Sequence, residues 1–96
     1  MEIRRNGSEI VITGNIKNTA DYQMIKDNVN ACIQGGSKSI IVKTPESFSM
    51  TSSVIGFFIK VIFQDKVPIN VYVKDDRLYS LLEDLNLIET FKVQKY

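Results

Sequence analysis

The chain has 96 residues, of which 44% are hydrophobic and 24% charged, and its formal net charge is +1. This length accommodates one domain and one core, and the composition excludes a disordered or collagen-like chain. With balanced, interspersed charges, the chain cannot hold a nucleic-acid backbone by neutralising its phosphates. We therefore expect a single folded domain over residues 1–96, with no nucleic-acid partner.

The residues most often used in metal and acyl-transfer sites are scarce. There is no histidine, and Cys32 is the one cysteine. This excludes a His/Cys zinc site, a Cys-His or Ser-His-Asp centre and an internal disulfide. No glycine-rich phosphate loop follows a predicted strand. Cys32 falls on a predicted apolar helix face, where inert thiols predominate. We expect a protein that is not an enzyme and uses no metal or cofactor.

Two features of the distribution of apolar residues indicate where in the cell the protein is located. Residues 1–5 are followed by polar residues rather than by an apolar signal segment. The longest apolar stretch, residues 54–63, is about half the length of a membrane-spanning helix and is interrupted by Lys60. We expect a cytoplasmic protein with no membrane partner.

The first predicted elements form a hairpin. Residues 9–13 are rich in β-branched side chains, and the turn-forming pair Asn6-Gly7 precedes them, so they pair with residues 2–5. A helix follows, capped by Asn18 or Thr19 and ended by the glycines at 35 and 36. Its apolar face consists of Tyr22, Ile25, Val29, Cys32 and Ile33.

The middle of the chain combines a clear strand with an ambiguous segment. Residues 39–43 predict a short strand covered on both faces. Residues 54–63 have the β-branched and aromatic composition of a strand. A helix is favoured because residues 51–53 offer an N-cap and because parallel neighbouring strands need a crossover of about a dozen residues. A helix that is apolar nearly all round indicates an additional interaction surface.

The last third predicts a strand at residues 68–73, a helix capped by Asp75 or Asp76, and a closing strand at residues 90–93. The helix carries an apolar stripe of Leu78, Leu81, Leu82 and Leu85. The order ββαβαβαβ describes a small α/β sandwich with a mostly parallel sheet and an N-terminal hairpin.

The candidate site is the hydroxyl-rich segment at residues 47–53, between a central strand and the most apolar helix. Ligand and regulatory sites collect at such junctions in α/β sheets. A phosphate on Ser52 would be favoured by the partial positive charge of the helix N-terminus. Capping by Thr51 or Ser52 explains the same residue types without any function.

Several segments together carry a family resemblance that covers nearly the whole chain. They are Thr13-Gly14-Asn15-Ile16-Lys17-Asn18-Thr19-Ala20, Ile40-Ile41-Val42, Met50-Thr51-Ser52-Ser53-Val54-Ile55-Gly56, Leu81-Leu82-Glu83-Asp84-Leu85-Asn86-Leu87 and Phe91-Lys92-Val93. In this order they resemble the STAS domain, the sulfate-transporter and anti-sigma-factor-antagonist family, in its short stand-alone bacterial form. The resemblance implies a regulatory protein, phosphorylated on a serine by a partner that is both kinase and anti-sigma factor and restored by a PP2C-like phosphatase.

The resemblance also implies which residues act. The phospho-acceptor position matches Ser52, with Thr51 and Ser53 as alternatives. Independently of the resemblance, we expect a monomer or weak dimer. The implied partner-binding residues are Ser49, Met50, Thr51, Ser52, Ser53, Ile55, Gly56 and Ile59. Lys43, Thr51 and Val54 differ from the family pattern. These differences support a second hypothesis, a scaffold or sensor subunit that binds a protein partner or small ligand without phosphorylation.

Overall fold

The computed structural model describes residues 1–96 and contains five strands and three helices. Their order is ββαβαβαβ, as the sequence predicts. The elements are β1 (Glu2–Asn6), β2 (Glu9–Thr13), α1 (Thr19–Gln34), β3 (Ile40–Thr44), α2 (Ser52–Phe63), β4 (Ile69–Val73), α3 (Asp76–Asp84) and β5 (Gln94–Lys95).

The five strands form one mixed sheet in the order β1-β2-β3-β4-β5. β1 and β2 are antiparallel, and every other neighbouring pair is parallel. The hairpin loop consists of Gly7 and Ser8, between the paired residues Asn6 and Glu9. Gly7 has a φ of +62°, a conformation that glycine adopts without a Cβ penalty. The mostly parallel sheet with an N-terminal hairpin is therefore confirmed.

The sheet is covered on one face only. In β3, Ile40, Val42 and Thr44 are buried, whereas Ile41 and Lys43 are partly exposed. The same alternation runs through β2 and β4. The prediction that β3 is covered on both faces is wrong, because the buried residues of all three helices join a single cluster on one side of the sheet. The domain has two layers, a helical layer and a sheet with an open face.

The ends of α1 and α3 follow standard capping chemistry. Past α1, Gly36 has a φ of +88°, and the Ser37 amide bonds to the carbonyl of Cys32. Past α3, Asn86 has a φ of +58°, and the Leu87 amide bonds to the carbonyl of Leu82. Both are Schellman-type ends, in which a residue tolerant of positive φ closes the helix.

The final strand differs from its prediction. Residues 88–92 form a helical turn, in which the Phe91 amide donates to the Leu87 carbonyl, and the Val93 amide after it donates to the Ile88 carbonyl. Lys92 has a φ of +48°, which is outside the strand region. Only Gln94–Lys95 pairs with β4. The apolar residues Phe91 and Val93 are buried, but a turn buries them rather than a strand.

The core is dominated by aliphatic residues from the sheet and helices, with aromatic contacts at its centre. Phe58 and Phe91 pack edge to face, with ring centroids 5.9 Å apart. In α3, Leu78 and Leu82 are fully buried, whereas Leu85, predicted on the same stripe, is 48% exposed. None of the helices has both the length and the apolar character needed to cross a bilayer.

Candidate functional site

Two loops meet where β2 and β3 end, and three hydrogen bonds join them. The Gly14 amide donates to Oε1 of Glu46 at 3.0 Å. The buried Ser47 hydroxyl donates to the Gly14 carbonyl at 2.8 Å. The Phe48 amide donates to Oδ1 of Asn15 at 3.1 Å. Because the first loop leads into α1 and the second into α2, these bonds set the positions of the two helix starts relative to each other.

Gly14 is the backbone position on which this junction depends. Its φ is +83°, which side-chain-bearing residues rarely adopt. A Cβ there would lie 3.4 Å from Cα of Met1. The sequence does not single out Gly14 or Glu46 as a candidate site residue. The bonds between the loops connect residues more than 30 positions apart, and no local sequence signal predicts them.

The start of α1 is fixed by a reciprocal cap. Oδ1 of Asn18 accepts from the Asp21 amide at 2.9 Å, and Oδ2 of Asp21 accepts from the Lys17 amide at 2.9 Å. The arrangement is similar to a capping box, except that Asp21 accepts from the amide of the residue before the cap, and two otherwise free amides are satisfied together. Of the two predicted caps, Asn18 is the one used, and Thr19 is the first helical residue.

The start of α2 is capped by Thr51, whose Oγ1 accepts from the Val54 amide at 3.3 Å. Ser52 and Ser53 follow as the first two helical residues, and both are exposed. From the sequence alone, either Thr51 or Ser52 can be the cap of this helix. With Thr51 in that role, the side chain of Ser52 is not needed to cap the helix.

A shallow cleft of about 340 Å³ lies between the two helix starts. It brings together residues from the start of α1 and the start of α2, which the sequence did not associate. Both helix N-termini carry partial positive charge, and the full positive charge of Lys17 is offset by the carboxylate of Asp21 in the first turn of α1. Its lining residues are Lys17, Asn18, Thr19, Tyr22, Thr51 and Ser53.

The solvent-facing side of α2 continues from this cleft. Ser52, Gly56, Ile59 and Phe63 recur at spacings of three and four residues, so they share one side of the helix. Phe63 is 59% exposed, and Ile59 is partly buried. Nothing lies within 4 Å of the position that a Cβ of Gly56 would occupy. We call these four residues the α2 stripe.

The remaining residues predicted to contact a partner divide into two groups. Ser49 is exposed, and Ile55 is partly buried against the core. Met50 is only 5% exposed and belongs to the hydrophobic cluster. The side chain of Met50 therefore supports the loop from beneath, and the accessible surface consists of the other residues.

Lys43 lies on the open face of the sheet, away from the helices. Its Nζ is 2.7 Å from Oε1 of Glu9 on the neighbouring strand. The hydrogen bond from Lys43 to Glu9, together with the charge of Glu9, raises the pKa of Lys43. Lys43 is thus part of a cross-strand ion pair and, on this face, does not line the cleft at the start of α2.

Cys32 packs in the core with 2% of its surface exposed. Burial raises the pKa of its thiol, and nearby Arg5 opposes this weakly. The thiol sulfur lies 3.5 Å from the Gly7 carbonyl oxygen. A buried thiol with a raised pKa is a poor nucleophile. No cluster of three His, Cys, Asp or Glu residues is placed to hold a metal ion.

These features define a two-layer α/β domain with an exposed serine beside a cleft between two helix starts. The chain matches no protein-family model, no curated protein and no solved structure.

Proposed function

We propose that this protein is a non-enzymatic regulatory module, similar to an anti-sigma factor antagonist, whose partner binding is switched by phosphorylation of Ser52. The observation that carries the proposal is the division of roles at the start of α2. Thr51 caps the helix, so the neighbouring Ser52 is left exposed at the first helical position. A modification of Ser52 would not remove the cap.

The electrostatic setting favours a phosphate at this position. A phosphoserine carries a charge of about −1.5 to −2 at neutral pH. The first turn of a helix stabilises negative charge. There is no acidic residue in the first turn of α2 to oppose it. Phosphorylation would therefore be compatible with the fold while changing the charge of the surface around it.

The α2 stripe supplies the surface that such a charge would control. Gly56 weakens a helix by about 0.5–1 kcal/mol relative to alanine. No atom of this chain occupies the space where its Cβ would lie, so packing within the domain does not require glycine there. Together with exposed Phe63, the gap at Gly56 supports a partner that approaches the helix closely. A phosphate on Ser52 would place its negative charge at one end of the contact between the α2 stripe and this partner.

The partners in this proposal are a serine kinase that also acts as an anti-sigma factor and a PP2C-like phosphatase. They come from the resemblance to STAS domains in the segments at residues 13–20 and 50–56. In this arrangement, the unmodified protein would bind the kinase through the α2 stripe and the loop residue Ser49. The phosphorylated form would be released until the phosphatase restores it.

Mass analysis of the protein isolated from its native cells tests the proposal directly. The expected result is one phosphate on the peptide spanning residues 47–57, localised to Ser52, in a fraction that changes with growth condition. The variant Ser52→Ala should lose the modification, whereas Ser53→Ala, an equally exposed neighbour, should keep it. An unmodified peptide under all conditions, or equal modification of the Ser52→Ala variant, would contradict the assignment.

A second candidate is a scaffold or sensor subunit that uses the same surface without modification. It is favoured by Thr51 and Val54, which replace the acidic residue and the glycine of the family pattern. Val54 is fully buried and Thr51 is the cap, so both have structural roles independent of a kinase.

Binding of an isolated partner by Ser52→Asp and Ser52→Ala separates the two candidates. A switch predicts that the aspartate variant loses far more affinity than the alanine variant, because only aspartate adds charge. A scaffold predicts equal, small losses for both. Phe63→Ser should weaken binding under either candidate, since it shortens the apolar contact, and it serves as the control that the α2 stripe is the surface used.

A further inference from the structure

The strand β1 is the outer strand of the sheet, paired with β2 on one side only. Its five residues pair with β2 in unbroken register, from Glu2 with Thr13 to Asn6 with Glu9. A proline or a β-bulge commonly prevents an edge strand from pairing with another chain. The strand β1 contains neither. Its outer side therefore presents a regular row of backbone donors and acceptors.

The hairpin determines which backbone groups face outward. In a hairpin closed by a two-residue loop, the residues flanking the loop form a hydrogen-bonded pair, and bonded pairs alternate along the strands. Asn6 and Glu9 flank the loop, so Arg4 and Glu2 also bond toward β2. The amide and carbonyl groups of Ile3 and Arg5 consequently point away from the sheet.

The charges on β1 are self-complementary in one register. Two copies of a strand that pair antiparallel around a two-fold axis place one residue opposite itself. An axis at Glu2, Arg4 or Arg5 puts like charges opposite each other. An axis at Ile3 puts Ile3 opposite Ile3, and Glu2 opposite Arg4 on both sides of the axis. Opposite charges across a strand pair stabilise it, and like charges destabilise it.

The side chains of Glu2 and Arg4 are free to make these contacts. Both are exposed, and neither takes part in an ion pair within the chain. They project from the open face of the sheet, as their partners Thr13 and Val11 do. Ile3 lies on the helical side, where it is partly buried against the core, so a second Ile3 would extend an apolar surface.

We propose that β1 is a homodimerisation edge, at which two copies of this chain pair antiparallel, centred on Ile3, to form one continuous sheet. The bonds are reciprocal backbone hydrogen bonds between the two Ile3 residues, flanked by two Glu2 to Arg4 ion pairs. This interface lies on a strand and uses none of the residues of the proposed phosphorylation switch. Its test does not depend on the modification of Ser52.

Sedimentation velocity over a concentration series up to about 1 mM, the range of weak complexes, tests the proposal. The wild type should show a monomer–dimer equilibrium that weakens as salt is added, because exposed ion pairs are screened. The dimer contains two pairs of residues 2 and 4, and either single variant, Glu2→Arg or Arg4→Glu, gives both pairs like charges. Each single variant should therefore raise the dissociation constant about tenfold or more. The double variant Glu2→Arg/Arg4→Glu restores opposite charges in both pairs. Its dissociation constant should be within about threefold of the wild-type value.

Lys66→Glu is the matched control for Arg4→Glu, since it makes the same change of net charge at an exposed loop position before β4, which β2 and β3 separate from β1 in the sheet. It should leave the dissociation constant unchanged. A wild type that stays monomeric throughout the series would overturn the proposal. So would a dimer that the single variants do not weaken, or one that the double variant does not rescue. Circular dichroism of each variant verifies that the fold is intact.

Discussion

The hydroxyl of Ser47 donates a 2.8 Å hydrogen bond to the carbonyl oxygen of Gly14, across 33 positions of sequence. The serine is fully buried, and the Gly14 carbonyl is the acceptor that satisfies its hydroxyl. The bond joins the loop that leaves β3 to the loop that leaves β2. It therefore couples the start of α2, where Ser52 lies, to the turn that leads into α1.

Ser47→Ala should destabilise the domain by about 1 kcal/mol, because it removes the hydrogen bond that a buried hydroxyl makes between the two loops. The free energy of unfolding from urea titrations measures this loss. Ser49→Ala removes the same hydroxyl from an exposed position in the same loop, and its effect should stay within about 0.5 kcal/mol. Equal effects for the two variants would mean that the Ser47 bond does not stabilise the junction.

Two glycine substitutions should change stability in opposite directions. Gly14→Ala forces a side chain into a φ of +83° with its Cβ 3.4 Å from Met1, so it should cost about 1 kcal/mol or more. Gly56→Ala places a methyl group in open space on a helix and should add about 0.5–1 kcal/mol. Thermal and urea unfolding measure both. A stabilising Gly14→Ala would contradict the conformation assigned to the loop.

Local chemistry in the sequence accounts for most of the fold. The helical interpretation of residues 54–63 was correct although their composition resembles a strand, because a cap at Thr51 and the length needed for a crossover outweigh β propensity. The ends of α1 follow from Asn18 and Gly36, two residues with strong positional preferences.

The errors arise where apolar content fails to distinguish between geometries. Phe91 and Val93 are buried, and alternating apolar residues suit a helical turn and a strand equally well at this length. Ile41 belongs to a short continuous apolar segment, and such a segment predicts a strand that is covered on both faces of the sheet. Only the placement of all helices on one face leaves it partly exposed, and that placement is a property of the whole topology.

The sequence predicts which residues form the candidate site, but it does not predict the contacts that surround them. Ser52 and the alternatives beside it could be singled out from the hydroxyl cluster. The choice of Thr51 as the cap depends on the local backbone, and the proximity of Lys17 depends on contacts between distant loops. Such contacts leave no periodic signal in a single sequence.

Asp75 should contribute to the acid sensitivity of the domain. Hydrogen bonds from the side chain and then the amide of Arg77 lower the pKa of Asp75 from 3.8 to about 2. The unfolded chain then binds the proton more tightly, so this contribution is complete above about pH 4 and is lost as the pH falls toward 2. Asp75→Asn keeps an oxygen to cap α3 and removes the charge, so its unfolding free energy should fall less steeply over this range.

Urea titrations at pH values between 2 and 5 compare Asp75→Asn with the wild type and with Asp65→Asn, an exposed aspartate outside any ion pair. The difference between the wild type and Asp75→Asn should shrink as the pH is lowered, and Asp65→Asn should follow the wild type. A difference that does not vary with pH would show that the carboxylate of Asp75 gains nothing from Arg77.

Cys32 should react with thiol reagents only when the domain opens. It is 2% exposed, and burial raises the pKa of its thiol, so little reactive thiolate is present near neutral pH. Its rate of modification should be low in buffer and should rise with urea in parallel with unfolding. Ser39→Cys in a Cys32→Ala background provides an exposed thiol on the same fold and should react at once. Rapid modification of Cys32 in the native protein would mean that the first helix opens locally from the sheet.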